Sequence, residues 1–393
     1  MKLRLTQRLQ NILVKELIRD AYFGRMNRKL IKLLPDSACV QRFFFLLELY
    51  GHNTFDPVIP TPFNKVPNEF IEELKTTHSV RESEIDSIVK QCKTIVKDTY
   101  NSFINNENEY TVTKLHLNND HTVLDIEYII KFAEVPEGQK PVSTVPKLFK
   151  RTFKGNFARM LNRMPAKISL TEKVVRLYVC VLRYSYIVNV NVGMQMALPG
   201  NCFKVLQSKL GIYTECFASP LNVDTGTKQF YSRFPDTDFL FGSLGRFEDI
   251  NPDDECYSKQ NNCFEVNPPF TEWHIEMAIN KVNSLLNSKN KFLCVVILPV
   301  WDDMKVIRDL GTSVYSQGYY YLPAKETKIK PVKNAKVVTG PFYYENGMAV
   351  IHEELPRINM KKDSIVIVVS NFDAGWSPAV EKEFFDNFRI KTK

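Results

Sequence analysis

Asn267-Pro268-Pro269-Phe270 combines an amide, two rigid imino acids and an aromatic ring, a set suited to gripping the exocyclic amine of a nucleobase. Adenine's amine is a poor nucleophile because its lone pair is delocalised into the ring. An Asn side-chain oxygen and a proline main-chain carbonyl can each accept one amine hydrogen and free that lone pair. The prolines stiffen the turn and the phenyl ring stacks on the base, so the tetrapeptide can hold a base taken out of its stack. A proline-rich surface turn arising by chance is the competing explanation, and the neighbouring segments decide between the two.

A group donor would need a pocket after the first strand of a nucleotide-type sheet. Glycines usually stand there. In this chain the place is taken by Glu215-Cys216-Phe217-Ala218-Ser219-Pro220-Leu221-Asn222, where small Ala218 and Ser219 permit close approach and Asn222 can hydrogen-bond a ligand. Further on, Asp236 and Asp238 can accept from ribose hydroxyls, and Phe241-Gly242-Ser243-Leu244-Gly245 lets the chain fold against a ligand. Trp301 ends an apolar run over 292–300 and either stacks on a nucleobase or completes the core. Tyr319 and Tyr321 stand near Lys325 and Lys328, in a lysine-rich stretch reaching Lys336. Aromatics among lysines suit single-stranded nucleic acid, although a solvated lysine run explains the same pattern.

The elements that must position these residues follow from periodicity. Helical patterns cover 3–23, 26–34, 38–50 and 67–103 with a break near 76–78, then 169–190 and 202–210. A hairpin is expected over 111–117 and 122–128 around Asn118-Asn119-Asp120. The proline-bearing stretch 134–147 reads as a linker. Strands are expected at 213–218, 239–241, 263–266, 292–298, 318–322, 348–351 and 364–369, with a helix over 273–286 after the tetrapeptide. The expectation is an α/β chain, with a mainly helical, basic domain at 1–195 and a nucleotide-type sheet domain at 196–393.

Composition sets outer bounds. The 393 residues are 44% hydrophobic and 24% charged, as in a globular protein, and the net charge of +8 favours a polyanionic partner. Arg19, Arg25, Arg28, Lys29 and Lys32, with Lys147, Lys150, Arg151, Lys154, Arg159 and Arg163, are expected to line an RNA groove on charge alone. The eight cysteines form no CxxC pair, so no metal site is expected and reduced thiols are. The longest apolar run is too short to span a bilayer, so no membrane role is expected. The basic first helix lacks Ser and contains Glu16 and Asp20, which argues against a presequence.

Four stretches, ECFASPLN (215–222), FPDTD (234–238), FGS with a following glycine (241–245) and FEVNPPF (264–270), resemble the cap-specific adenosine N6-methyltransferases, also called phosphorylated-CTD-interacting factors. Weaker likeness runs through LRYSYI (182–187), MQMALP (194–199), LPVW (298–301), YLPAKE (321–326) and MAVI (348–351). The resemblance implies a Rossmann-like class I methyltransferase core beside a helical domain. It implies S-adenosyl-L-methionine as donor, capped mRNA as partner, and N6-methylation of a cap-adjacent 2′-O-methyladenosine. Asn267, Pro268, Pro269 and Phe270 would then be catalytic. Glu215, Ala218, Ser219, Pro220, Asn222, Asp236, Asp238, Phe241, Gly242 and Ser243 would bind the cofactor, and Trp301, Tyr319, Tyr321, Lys325 and Lys328 the substrate. Animal members carry an N-terminal WW domain that this chain lacks, so polymerase-tail binding is not expected, and a monomer in nucleus or cytoplasm, or in a viral setting, is. An adenine methyltransferase acting on DNA or uncapped RNA and a non-catalytic cap-binding scaffold are the alternatives.

Overall fold

The computed structural model describes residues 3–36, 39–40, 43–44, 47, 56, 58–62, 66, 68–133, 145–188, 197–198, 200–301, 304–322, 342–345, 348–351 and 364–388. The chain forms two compact units. One comprises residues 1–155, 168–191 and 345–349, the other 156–167, 192–344 and 350–393.

The first unit is built on α1 (Gln7–Leu33), whose N-cap Thr6 accepts from the Leu9 amide at 3.4 Å. The two helices expected over 3–34 are thus one, because Leu13, Leu17, Met26 and Leu30 continue a single buried stripe through Gly24. α2 (Asn68–Thr76) and α3 (Glu82–Ile104) follow, and the break between them falls where sequence placed it, with Ser79 at φ 53°. β1 (Glu109–Leu117) and β2 (Val123–Lys131) pair antiparallel around a turn in which Asn118 Oδ1 accepts from the Thr122 and Val123 amides. β3 (Lys147–Lys154) pairs antiparallel with β2. The expected linker over 134–147 otherwise lies mostly outside the described residues. After β3 come α4 (Ala158–Arg163), assigned to the second unit, and α5 (Leu170–Val188), which packs on α1.

The second unit is a six-stranded mixed sheet. α6 (Gly200–Leu210) leads into β4 (Thr214–Glu215) and β5 (Gln229–Phe230); then come the short α7 (Pro235–Asp238), β6 (Asn262–Val266), α8 (Glu272–Leu286), β7 (Phe292–Pro299), α9 (Lys305–Gly311) and β8 (Ser316–Leu322). β9 (Phe342–Glu345) and β10 (Met348–Ile351) come next but do not join this sheet, as the expected strand over 348–351 would; they extend the other one, in the order β1-β2-β3-β10-β9, and β11 (Ser364–Ser370) and α10 (Pro378–Phe388) end the chain order. The sheet order is β5-β4-β6-β7-β11-β8. β5, β4, β6 and β7 run parallel, and β11 is antiparallel to both β7 and β8. Every residue of β7 and β11 is buried, which is why both read as unbroken apolar runs. α8 and α9 cover one face through Ile275, Ile279, Val282 and Ile307, while α6 and α10 cover the other through Phe203, Leu206 and Phe384.

Two expected strands differ. Over 213–218 only Thr214–Glu215 is strand, because the following segment turns away to form a loop. Phe239–Phe241 is a 3-10 turn ended by Gly242 at φ 105°, a left-handed position that a continuing strand does not allow. No helix among the described residues is long and apolar enough to cross a membrane.

Candidate functional site

From β4 the chain passes to β5 on one side of the sheet and later to β6 on the other, so the strand order reverses between β4 and β6. Ligands of open α/β sheets bind beyond the carboxyl ends of strands at such a reversal. The segment 216–222 leaves the carboxyl end of β4, and Asn267-Pro268-Pro269-Phe270 leaves that of β6. Thr214 and Glu215 lie opposite Phe264 and Glu265, and the Cys216 amide donates to the Glu265 carbonyl at 2.9 Å. The two motifs singled out in the sequence therefore leave the sheet side by side.

The segment after β4 is closed on itself. Asn222 Oδ1 accepts from the Ser219 amide at 2.6 Å and the Ser219 hydroxyl at 2.8 Å, while Ser219 Oγ accepts from the Leu221 amide at 3.3 Å. Ala218, Ser219, Pro220 and Asn222 are all buried, and the Ala218 amide donates to the Tyr231 carbonyl at 3.0 Å, tying the turn to the chain beyond β5. Glu215, also buried, points its Oε1 at the loop backbone, accepting from the Asp224 amide at 2.7 Å and the Thr227 hydroxyl at 2.6 Å. Burial pushes its carboxyl up to about 7, against the opposing pull of those two bonds. Its strand partner Glu265 is buried too and is pushed well above the ordinary carboxylate value, first by burial and then by Glu215.

The chain beyond β5 folds back in the same layer. Phe230 makes a parallel bridge to Ser243, the Ser232 and Ser243 hydroxyls meet at 2.7 Å, and the Ser232 amide donates to the Gly245 carbonyl at 2.8 Å. Asp236 is exposed, whereas Asp238 is fully buried with Oδ1 accepting from the Thr237 hydroxyl at 2.9 Å; Phe241 is buried beside Gly242. Of the two acids, Asp236 alone faces solvent.

Within the tetrapeptide Pro268 is buried while Asn267, Pro269 and Phe270 are half-buried. The Thr271 amide donates to the Pro269 carbonyl at 2.8 Å, and Thr271 then N-caps α8 by accepting from the His274 amide at 3.4 Å. The turn is thus locked between a strand end and a helix start. His274 Nδ1 meets Thr271 Oγ1 at 2.8 Å, and burial, with Arg233 adding in the same direction, drives its imidazole down to about 3. It is neutral at physiological pH.

The other expected residues lie further across the sheet. Trp301 follows β7 and is half-buried against the α8–α9 side of the core. Tyr319 (45% exposed) and Tyr321 (52% exposed) are on β8, three strand spacings or about 14 Å from β6. Lys325 and Lys328 lie outside the described residues.

Sequence reasoning missed several neighbours. Thr271 had a readable signal, a hydroxyl residue directly before a helical pattern. Arg159 and Arg163 were assigned to an RNA groove, and the structure corrects this: Arg159 donates to the Leu221 carbonyl at 2.5 Å, and Arg163 donates to Phe241 at 3.1 Å and Thr227 at 3.2 Å. Arg19 is corrected likewise, being buried against Glu16 and Asp56. Net charge gives no warning of such inward-facing arginines.

Residues 160–331 match the family model described as "Phosphorylated CTD interacting factor 1 WW domain". In the structure this stretch runs from within α4 to beyond β8 and contains the β4–β6 reversal. A 137-residue segment, 34% of the chain, is 35% identical to the mouse "mRNA (2'-O-methyladenosine-N(6)-)-methyltransferase". The human protein of the same name is 35% identical over 137 residues. The matched segment spans 18% of the length of each relative. A 137-residue part of this chain is thus distantly related to those methyltransferases, and the stretch matched by the family model, 160–331, includes the edge described above.

Proposed function

We propose that this chain is a methyltransferase that uses S-adenosyl-L-methionine to methylate N6 of an adenosine next to the cap of mRNA. The supporting observation is the adjacency of two loops: the small-residue turn after β4 and the amide-proline turn after β6 leave neighbouring parallel strands at the sheet's reversal. The names of the relatives direct the reading to a 2′-O-methyladenosine of mRNA, and the family resemblance to its place beside the cap.

The residues present fit such a cofactor. Small Ala218 and Ser219 stand near the β4 end, Asp236 offers an exposed carboxylate for ribose hydroxyls, and Gly242 lets the chain turn back with no Cβ in the way. When bound, the cofactor supplies an electrophilic methyl group. The chain's own residues do the rest. Asn267 Oδ1 accepts one amine hydrogen of the target adenine, the Pro268 carbonyl accepts the other, and Phe270 stacks on the ring. No strong base is required, because the amine hydrogen becomes acidic as nitrogen gains its substituent and departs to water. Neutral His274 adds no charge to the turn.

Mass spectrometry of nucleosides after incubation with labelled donor tests the reading. Label in N6 of the first transcribed adenosine of a capped RNA, absent from uncapped RNA and duplex DNA, is the expected result. Equal label in uncapped RNA or DNA would instead assign a broader adenine methyltransferase, and cofactor binding without product on any RNA a cap-binding scaffold.

A further inference from the structure

Resting on the cofactor reading above, we infer that Arg163, helped by Arg159, is a positioning residue that fixes the shape of both cofactor loops by holding their backbone carbonyls. α4 buries Met160 and Leu161, and its two arginines, four positions apart, share one face. Arg163 reaches two loops at once. Its Nε donates to the Phe241 carbonyl at 3.1 Å in the chain beyond β5, and its terminal nitrogens donate to the Thr227 and Asp224 carbonyls at 3.2 and 3.5 Å in the loop after β4. Arg159 adds the Leu221 carbonyl at 2.5 Å. These carbonyls belong to loop residues beyond the strand ends, so the guanidinium groups do for the loops what strand pairing does for the sheet.

The hold is two-sided. Asp224 gives its amide to Glu215 and its carbonyl to Arg163, and Thr227 gives its hydroxyl to Glu215 and its carbonyl to Arg163. A buried carboxyl group and a half-buried guanidinium are thereby joined through the dipoles of one loop. Arg163 also lies over the Phe230 ring, 5.5 Å from its centroid, and 3.7 Å from the point a Gly242 side chain would occupy. Lysine would supply a single point charge where the planar fork reaches several acceptors.

Arg163→Met and Arg163→Lys test this by two independent readouts. Amide hydrogen exchange over 219–228 and 238–245 should quicken in Arg163→Met while β7 and β11 keep wild-type protection, with Arg163→Lys intermediate. S-adenosylhomocysteine affinity should fall about 10-fold or more, as expected for losing hydrogen bonds to a charged donor. KM for the methyl donor should rise while KM for RNA stays, a split that general destabilisation would not produce. Unchanged exchange in folded Arg163→Met, or in Arg163→Lys if the first variant does not fold, overturns the inference. If wild-type protein binds no S-adenosylhomocysteine, the cofactor reading fails, and the exchange comparison alone decides the role of Arg163.

Discussion

In the first unit the Arg183 guanidinium meets both oxygens of Glu16, at 2.6 and 2.8 Å, and Arg19 bridges Glu16 to Asp56, all four side chains buried. In the second, Arg163 and Glu215 meet no charged partner in those bonds and end on loop carbonyls, an amide and a hydroxyl. The first arrangement joins α1 to α5 and to residue 56, so it fixes how helices pack. The second shapes a loop edge. Charge closed on charge strongly resists loss of one partner, whereas charge closed on backbone directs where loops run and is more easily perturbed.

Perturbing each region separately should expose this difference. Glu16→Ala removes the carboxylate that two buried guanidinium groups share, leaving Arg19 on Asp56 alone of the two acids, and chemical denaturation should show a loss of about 3–5 kcal/mol. Gly242→Ala forces a side chain onto φ 105°, with the Lys228 carbonyl 3.4 Å from the new atom; a cost of about 1–3 kcal/mol is expected. Because that strain falls on a loop proposed to hold the cofactor, calorimetry should find S-adenosylhomocysteine binding weakened as well.

Glu215 sharpens the contrast through pH. Its carboxyl is raised from 4.5 to about 7 in the folded chain, so the folded state retains a proton that the unfolded chain has released, and stability falls as pH rises between those values. Glu265 acts with the same sign. Glu215→Gln keeps the Oε1 acceptor and cannot titrate. Urea unfolding across this window should therefore show a shallower decline in the variant, by at most about 1.4 kcal/mol per pH unit. The smallest effect is expected at Thr271→Ala, where losing the α8 cap should cost about 1 kcal/mol in thermal unfolding.

Much of this was legible in the sequence, for reasons that differ by element. β7 and β11 announce themselves because both faces are covered and nearly every residue is apolar. The Asn267 turn is legible between a strand and a helix because the strand pattern over 263–266 gives way to helical periodicity over 273–286. β5 leaves no sign in the sequence because two residues carry no period, and the 3-10 turn over 239–241 reads as a strand because Phe-Leu-Phe has the composition of one. The inward role of Arg163 left no local trace, since its acceptors are backbone atoms more than 60 positions away.

In the proposed reaction Asn267 holds the amine that receives the methyl group and takes no part in holding the cofactor. Transfer of labelled methyl to a capped, adenosine-initiated RNA, measured with S-adenosylhomocysteine affinity in wild type and Asn267→Ala, tests this most directly. Labelled N6-methyladenosine is expected from wild type and none from the variant, with undiminished cofactor affinity in both. Product from Asn267→Ala at the wild-type rate would contradict it.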